Sequence, residues 1–142
     1  MSKEKITVRK TAYAKVLDAV TDAYPLEGCG VLLGEIGYPY ITDVRIIQNP
    51  EDYSDAKTNF HIGPEAIYEI EKEADEIGLE ILGFFHSHPD KPAFPSAKDI
   101  GYMIPGQINM ILSVKSDGPI KSSAYRRNIA TEDISELEIR TI

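Results

Sequence analysis

The sequence predicts an α/β domain of the α+β kind, in which a mixed β-sheet is flanked by helices. Three observations carry this expectation. Two stretches, residues 8–24 and 64–77, have helical apolar periodicity. Short apolar or β-branched runs lie between and after them, and turn-forming residues mark hairpins on both sides of the second helix. A chain of 142 residues is one ordinary domain, spanning 1–142 and long enough to bury a core.

In the first helical stretch, Val8, Ala12, Val16, Val20 and Tyr24 recur at intervals of four with Leu17 beside them, and Pro25 stops the pattern. Residues 30–34 and 40–47 read as strands, and the segment between them, with Gly37 and Pro39, suits a hairpin. Residues 48–58 are polar and read as a loop. The second helix begins near Pro64 and runs through Ala66, Ile67, Ile70, Ala74 and Ile77 to a Gly78 cap. Its outer face carries Glu65, Glu69, Glu71, Lys72, Glu73 and Asp75. Next come a strand at 80–88, a short helix at about 97–103 ended by Pro105-Gly106, and strands at 108–114 and 120–125 joined by a turn at 116–119. Residues 134–142 alternate weakly and read as an edge strand.

The formal charge of −8 and a pI near 4.8 argue against a nucleic-acid footprint and against attraction to anionic membranes. No signal-peptide pattern and no membrane-length apolar run is visible, so a cytoplasmic location is expected. The one cysteine, Cys29, cannot form an internal disulfide, and its apolar neighbours make it a packing thiol rather than a nucleophile.

The most informative segment is 85–99. His86 and His88, two of the chain's three histidines, close an apolar strand, and side chains two apart on a strand share a face. A proline-rich return from Pro92 to Pro95 brings Asp99 back at the start of a helix. Two imidazoles, one carboxylate and an open fourth position describe a catalytic zinc rather than a closed structural one. Ser96, three residues before Asp99, has the pattern of a helix N-cap, a role compatible with its hydroxyl also facing a substrate. A hydrolytic zinc site needs a carboxylate base. Of 23 acidic residues, Glu27 stands out, because it sits between the first helix and the first strand in Pro25-Leu26-Glu27-Gly28-Cys29-Gly30.

Glu27, then His86-Ser87-His88, seven residues, Ser96, two residues and Asp99, resembles the complete motif of the JAMM, or MPN+, zinc metallopeptidases. The surrounding segments 25–34 and 85–89 resemble those of its compact prokaryotic branch. The resemblance implies a mixed sheet flanked by helices, similar to the cytidine-deaminase arrangement. It implies that His86, His88 and Asp99 hold Zn2+ with water as the fourth ligand. Glu27 would be the general base that later protonates the leaving amine, and Ser96 would stabilise the oxyanion. The expected partner is a ubiquitin-like or sulfur-carrier protein with a Gly-Gly tail, cleaved at the peptide or isopeptide bond that follows. Some members remove cysteine from such a carrier; others release a modifier from its conjugates.

Two rival readings remain: a non-catalytic MPN-type scaffold, and a zinc amidohydrolase acting on small substrates. A homodimer is compatible with the sequence, although no long apolar stripe demands one. His61 is expected to be a loop or capping residue, and Asp90 a solvated turn aspartate close enough to compete as a ligand. The long loop at 48–60 is expected to border the groove that receives the tail, by strand addition.

Overall fold

The computed structural model describes residues 3–35, 37–47 and 63–142. The loop expected at 48–60 and His61 lie outside the described residues.

The chain enters on a short strand, β1 (Lys5–Val8), followed by α1 (Lys10–Ala23). The helical spacing of the sequence had extended back to Val8. That residue belongs instead to the strand: Ile6 and Val8 are two apart and both fully buried, which is strand periodicity, and Arg9 has an extended backbone that holds off the helix until Lys10. The hairpin β2 (Cys29–Glu35) and β3 (Tyr40–Ile47) follows as expected. Next come α2 (Pro64–Glu76), β4 (Leu79–Pro89), α3 (Ala97–Tyr102), β5 (Ile108–Lys115), β6 (Gly118–Arg127) and β7 (Ile134–Thr141). Pro64 opens α2 in its first turn, and Gly78 takes φ +74° just beyond its end, the left-handed conformation for which glycine is suited.

The strands form one mixed sheet in the order β1-β3-β2-β4-β5-β6-β7, which closes on itself. β1 runs parallel to both β3 and β7, and β4 runs parallel to β5; the remaining pairs are antiparallel. β7 is therefore not an edge strand. It pairs with β6 on one side and with β1 on the other, from Lys5↔Glu138 to Val8↔Thr141.

The inner face of the sheet, with Leu32, Phe85, Met110, Leu112, Val114 and Ala124, packs on Ala12, Val16 and Val20 of α1. On the outer face, Val31, Leu33 and Phe84 lie under Ile70 and Ala74 of α2. Phe85 settles so close to β2 that a Cβ at Gly30 would lie 2.2 Å from its ring and 2.4 Å from the carbonyl oxygen of Arg45, so only glycine fits. Alternation along β4 puts Phe85 inside and turns His86 and His88 to the opposite face.

Candidate metal centre

β2 and β4 build the first half of the site. Cys29, the first residue of β2, pairs with His86, so Glu27 comes just before the strand and next to the histidines. The intervening Ser87 points to the opposite face, is fully buried, and ties the two segments together. Its N–H donates to the carbonyl of Gly28 (2.9 Å), and its Oγ accepts from the N–H of Gly28 (2.8 Å). A second tie lies at the surface, where the Tyr24 hydroxyl bonds both carboxylate oxygens of Asp90 (3.0 and 2.9 Å). Asp90 is exposed, as the sequence suggested, but serves as this anchor.

The second half arrives with α3. Ser96 is its N-cap: its Oγ accepts from the N–H of Asp99 (3.0 Å), while its own N–H donates to Asp99 Oδ2 (2.9 Å). This reciprocal capping box fixes the Asp99 carboxylate against both histidines. Asp99 Oδ1 lies 3.3 Å from His86 Nε2 and Oδ2 lies 2.9 Å from His88 Nε2; the two Nε2 atoms are 3.3 Å apart. His88 Nδ1 donates to the carbonyl of Pro92 (2.9 Å), which fixes the ring with Nε2 facing the cluster.

The donor set fits a tetrahedral ion. Nitrogen and oxygen ligands at about 2.0–2.1 Å from Zn2+ stand about 3.3 Å from one another, close to the spacing of these three side chains. A Glu27 oxygen and the imidazole nitrogens of His86 and His88 also fall within 4.8 Å of one another.

Electrostatics separate the two carboxyls. Burial pushes Glu27 up to about 7, only partly offset by the attraction of His88. Burial acts on Asp99 in the same direction, but hydrogen bonds from His86 and His88 overcome it and hold this carboxyl well below the usual carboxylate range. Burial also lowers the pKa of His86, whereas His88 is raised, because its bonds to Asp99 and to the Pro92 carbonyl outweigh its desolvation. The Asp99 carboxylate thus lies between two imidazoles tuned in opposite directions, His88 toward protonation and His86 away from it.

All five residues expected from the sequence, Glu27, His86, His88, Ser96 and Asp99, meet at this one place. The local sequence did not reveal the residues that brace them. Ser87, Tyr24, Ser113 and Tyr125 gain their meaning from strand register and from contacts between distant segments; only the position of Ser87 between the two histidines hinted at a role.

A mixed sheet that presents His-x-His beside an aspartate from a capped helix defines a domain of the JAB1/MPN type. The chain belongs to the prokaryotic homologs of the JAB domain, whose family profile matches residues 9–127. It is 32% identical over 88 residues to a desampylase from Pyrococcus furiosus, a match covering 62% of this chain and 59% of that protein. It is 33% identical over 76 residues to a probable TtuB-protein conjugate cleaving protease from Thermus thermophilus, covering 54% and 48%. The chain thus spans about half the length of the curated relatives it matches. Among solved structures, a protein from Desulfitobacterium hafniense superposes with a TM-score of 0.82 at 26% identity, covering 96% of this chain and 92% of the other. A JAB1/MPN domain protein from Archaeoglobus fulgidus shares the fold, with a TM-score of 0.59 at 18% identity and 95% and 97% coverage.

Proposed function

We propose that this domain is a zinc-dependent peptidase or isopeptidase, acting in the cytoplasm on the amide bond that follows the Gly-Gly tail of a ubiquitin-like or sulfur-carrier protein. Family membership supports the reaction class, and the relative named as a conjugate cleaving protease supports the substrate class. The observation that carries the reading is geometric: the Asp99 carboxylate and the His86 and His88 imidazoles meet within 2.9–3.3 Å, with the buried Glu27 carboxyl beside them, and the two carboxyls are tuned in opposite directions. Asp99 is held as an anion, as a metal ligand must be, while Glu27 sits near 7, where a group exchanges protons most effectively at neutral pH.

In this reading His86, His88 and Asp99 hold the metal. Bound zinc supplies Lewis acidity, which brings the ionisation of water to near neutral pH and polarises a carbonyl. Glu27 accepts the proton of the attacking water and returns it to the leaving nitrogen, so that the amine departs neutral. The Ser96 hydroxyl accepts from Asp99 N–H through a lone pair and keeps its own proton to donate to the carbonyl oxygen as negative charge develops there.

The test compares wild type with Glu27→Gln on Gly-Gly-tailed carrier proteins joined to cysteine or to a lysine side chain, with zinc content measured alongside. The variant is expected to keep its zinc and to lose turnover by at least about 100-fold. Near-normal cleavage by the variant removes Glu27 from the mechanism. A zinc-loaded wild type that binds these conjugates without cleaving them leaves the scaffold reading instead.

A further inference from the structure

The return from the histidines to α3 carries two site residues, Ser96 and Asp99, yet residues 90–95 have no helix or strand of their own, and Asp90, Lys91, Pro92 and Phe94 are exposed. A segment of this kind does not hold a ligand to within tenths of an ångström unless something grips its backbone. Three consecutive carbonyls are gripped. Ser113 Oγ donates to the carbonyl of Lys91 (2.6 Å), His88 Nδ1 to that of Pro92 (2.9 Å) and Tyr125 OH to that of Ala93 (3.0 Å).

Register explains how three separate strands do this. His88 pairs with Ser113 across β4 and β5, and Asn109, two positions from Ile111, pairs with Tyr125 across β5 and β6, so all three gripping side chains rise from the same outer face. Tyr125 is nearly buried, and its ring packs with Ala93, Met103, Ile111 and Ile134, so its hydroxyl is fixed before it meets the carbonyl.

We infer that Tyr125 and Ser113 are positioning residues. Acting through the return, they set where Asp99 and Ser96 stand relative to His86 and His88. The inference rests on the reading of these four residues as a metal and substrate site. It differs from that reading in assigning part of the site's precision to β5 and β6, which contribute no ligand themselves.

Tyr125→Phe removes the hydroxyl and keeps the ring; Ser113→Ala is the second variant, should the first fail to fold. In metal-free protein, amide hydrogen exchange over residues 91–99 is expected to quicken at least about fivefold while exchange in α1 and β2 stays the same. By competition with a chelating indicator, the zinc dissociation constant is expected to rise roughly tenfold, the lower end of what removing a partner behind a metal ligand costs. The visible spectrum of the cobalt-substituted protein should change, and on any cleaved conjugate kcat should fall with KM unchanged. Tyr68→Phe, at an exposed position on α2, is the control and should change none of these. Exchange, metal affinity and cobalt spectrum all matching wild type would overturn the inference and leave the peptidase reading standing. So would a loss of affinity accompanied by equal loosening of the whole domain. Wild type that binds zinc tightly but cleaves no conjugate would overturn the peptidase reading alone, because exchange and affinity still judge the clamp.

Discussion

Replacing Glu27 by glutamine should stabilise the metal-free protein, and by an amount that grows with pH. Glu27 is 5% exposed, and burial moves its carboxyl from the ordinary 4.5 to about 7. Below about pH 4.5 the group is protonated in both the folded and the unfolded chain, so it imposes no penalty. Between there and about pH 7 the unfolded chain has released the proton and the folded chain has not, so stability falls as pH rises. Above about 7 the buried carboxylate carries the full cost, about 3 kcal/mol at about 1.4 kcal/mol per tenfold difference in proton affinity. Glutamine is nearly isosteric and does not titrate. Urea denaturation of the two metal-free proteins should therefore give similar stabilities at pH 4.5 and a glutamine variant ahead by about 3 kcal/mol at pH 8. For a domain of this size that corresponds to about 10 °C in Tm. Parallel stability curves across this range, or a wild type that gains on the variant as pH rises, would refute the claim that Glu27 is held neutral by burial.

Three further outcomes follow from the same geometry. Zinc should stabilise the folded protein by about 4 kcal/mol when free metal exceeds its dissociation constant about a thousandfold, and a chelator should reverse the gain. His88→Ala should abolish the gain in thermal melts, and a variant that gained as much as wild type would exclude His88 from the metal. Ser87→Ala leaves the buried Gly28 N–H without its side-chain acceptor, which should cost about 1–3 kcal/mol in urea denaturation. A change within about 0.3 kcal/mol would show that the tie between the Glu27 segment and the histidine strand carries little energy.

Much of this molecule could be read in the sequence where a signal was local. The two long helices, the β2–β3 hairpin and the strand ending at His88 follow from periodicity and turn residues. Ser96 and Asp99 form the capping box their spacing suggested. β1 was hidden because Val8 stands four positions before Ala12, a spacing that also satisfies a helix. Missing β1 made β7 look like an edge, since its parallel partner lies over a hundred residues away. The Tyr125 hydroxyl and the Ala93 carbonyl share no pattern in the chain, because only the pairing of β4, β5 and β6 puts them together.

The long separation between Glu27 and the other site residues has a physical purpose of its own. Asp99 is held ionised because it accepts from His86, His88 and the Ser96 N–H at once. A base placed in that same hydrogen-bond network would be driven to the same low proton affinity and could not take up a proton at neutral pH. Glu27 enters from the other side, at the start of β2, where burial dominates and the attraction of His88 is the smaller influence. The Ser87–Gly28 tie brings that segment alongside the histidines. Two carboxyls of similar intrinsic acidity thus reach one site by separate routes, and the routes drive their proton affinities apart, as the proposed roles of cation ligand and proton carrier require.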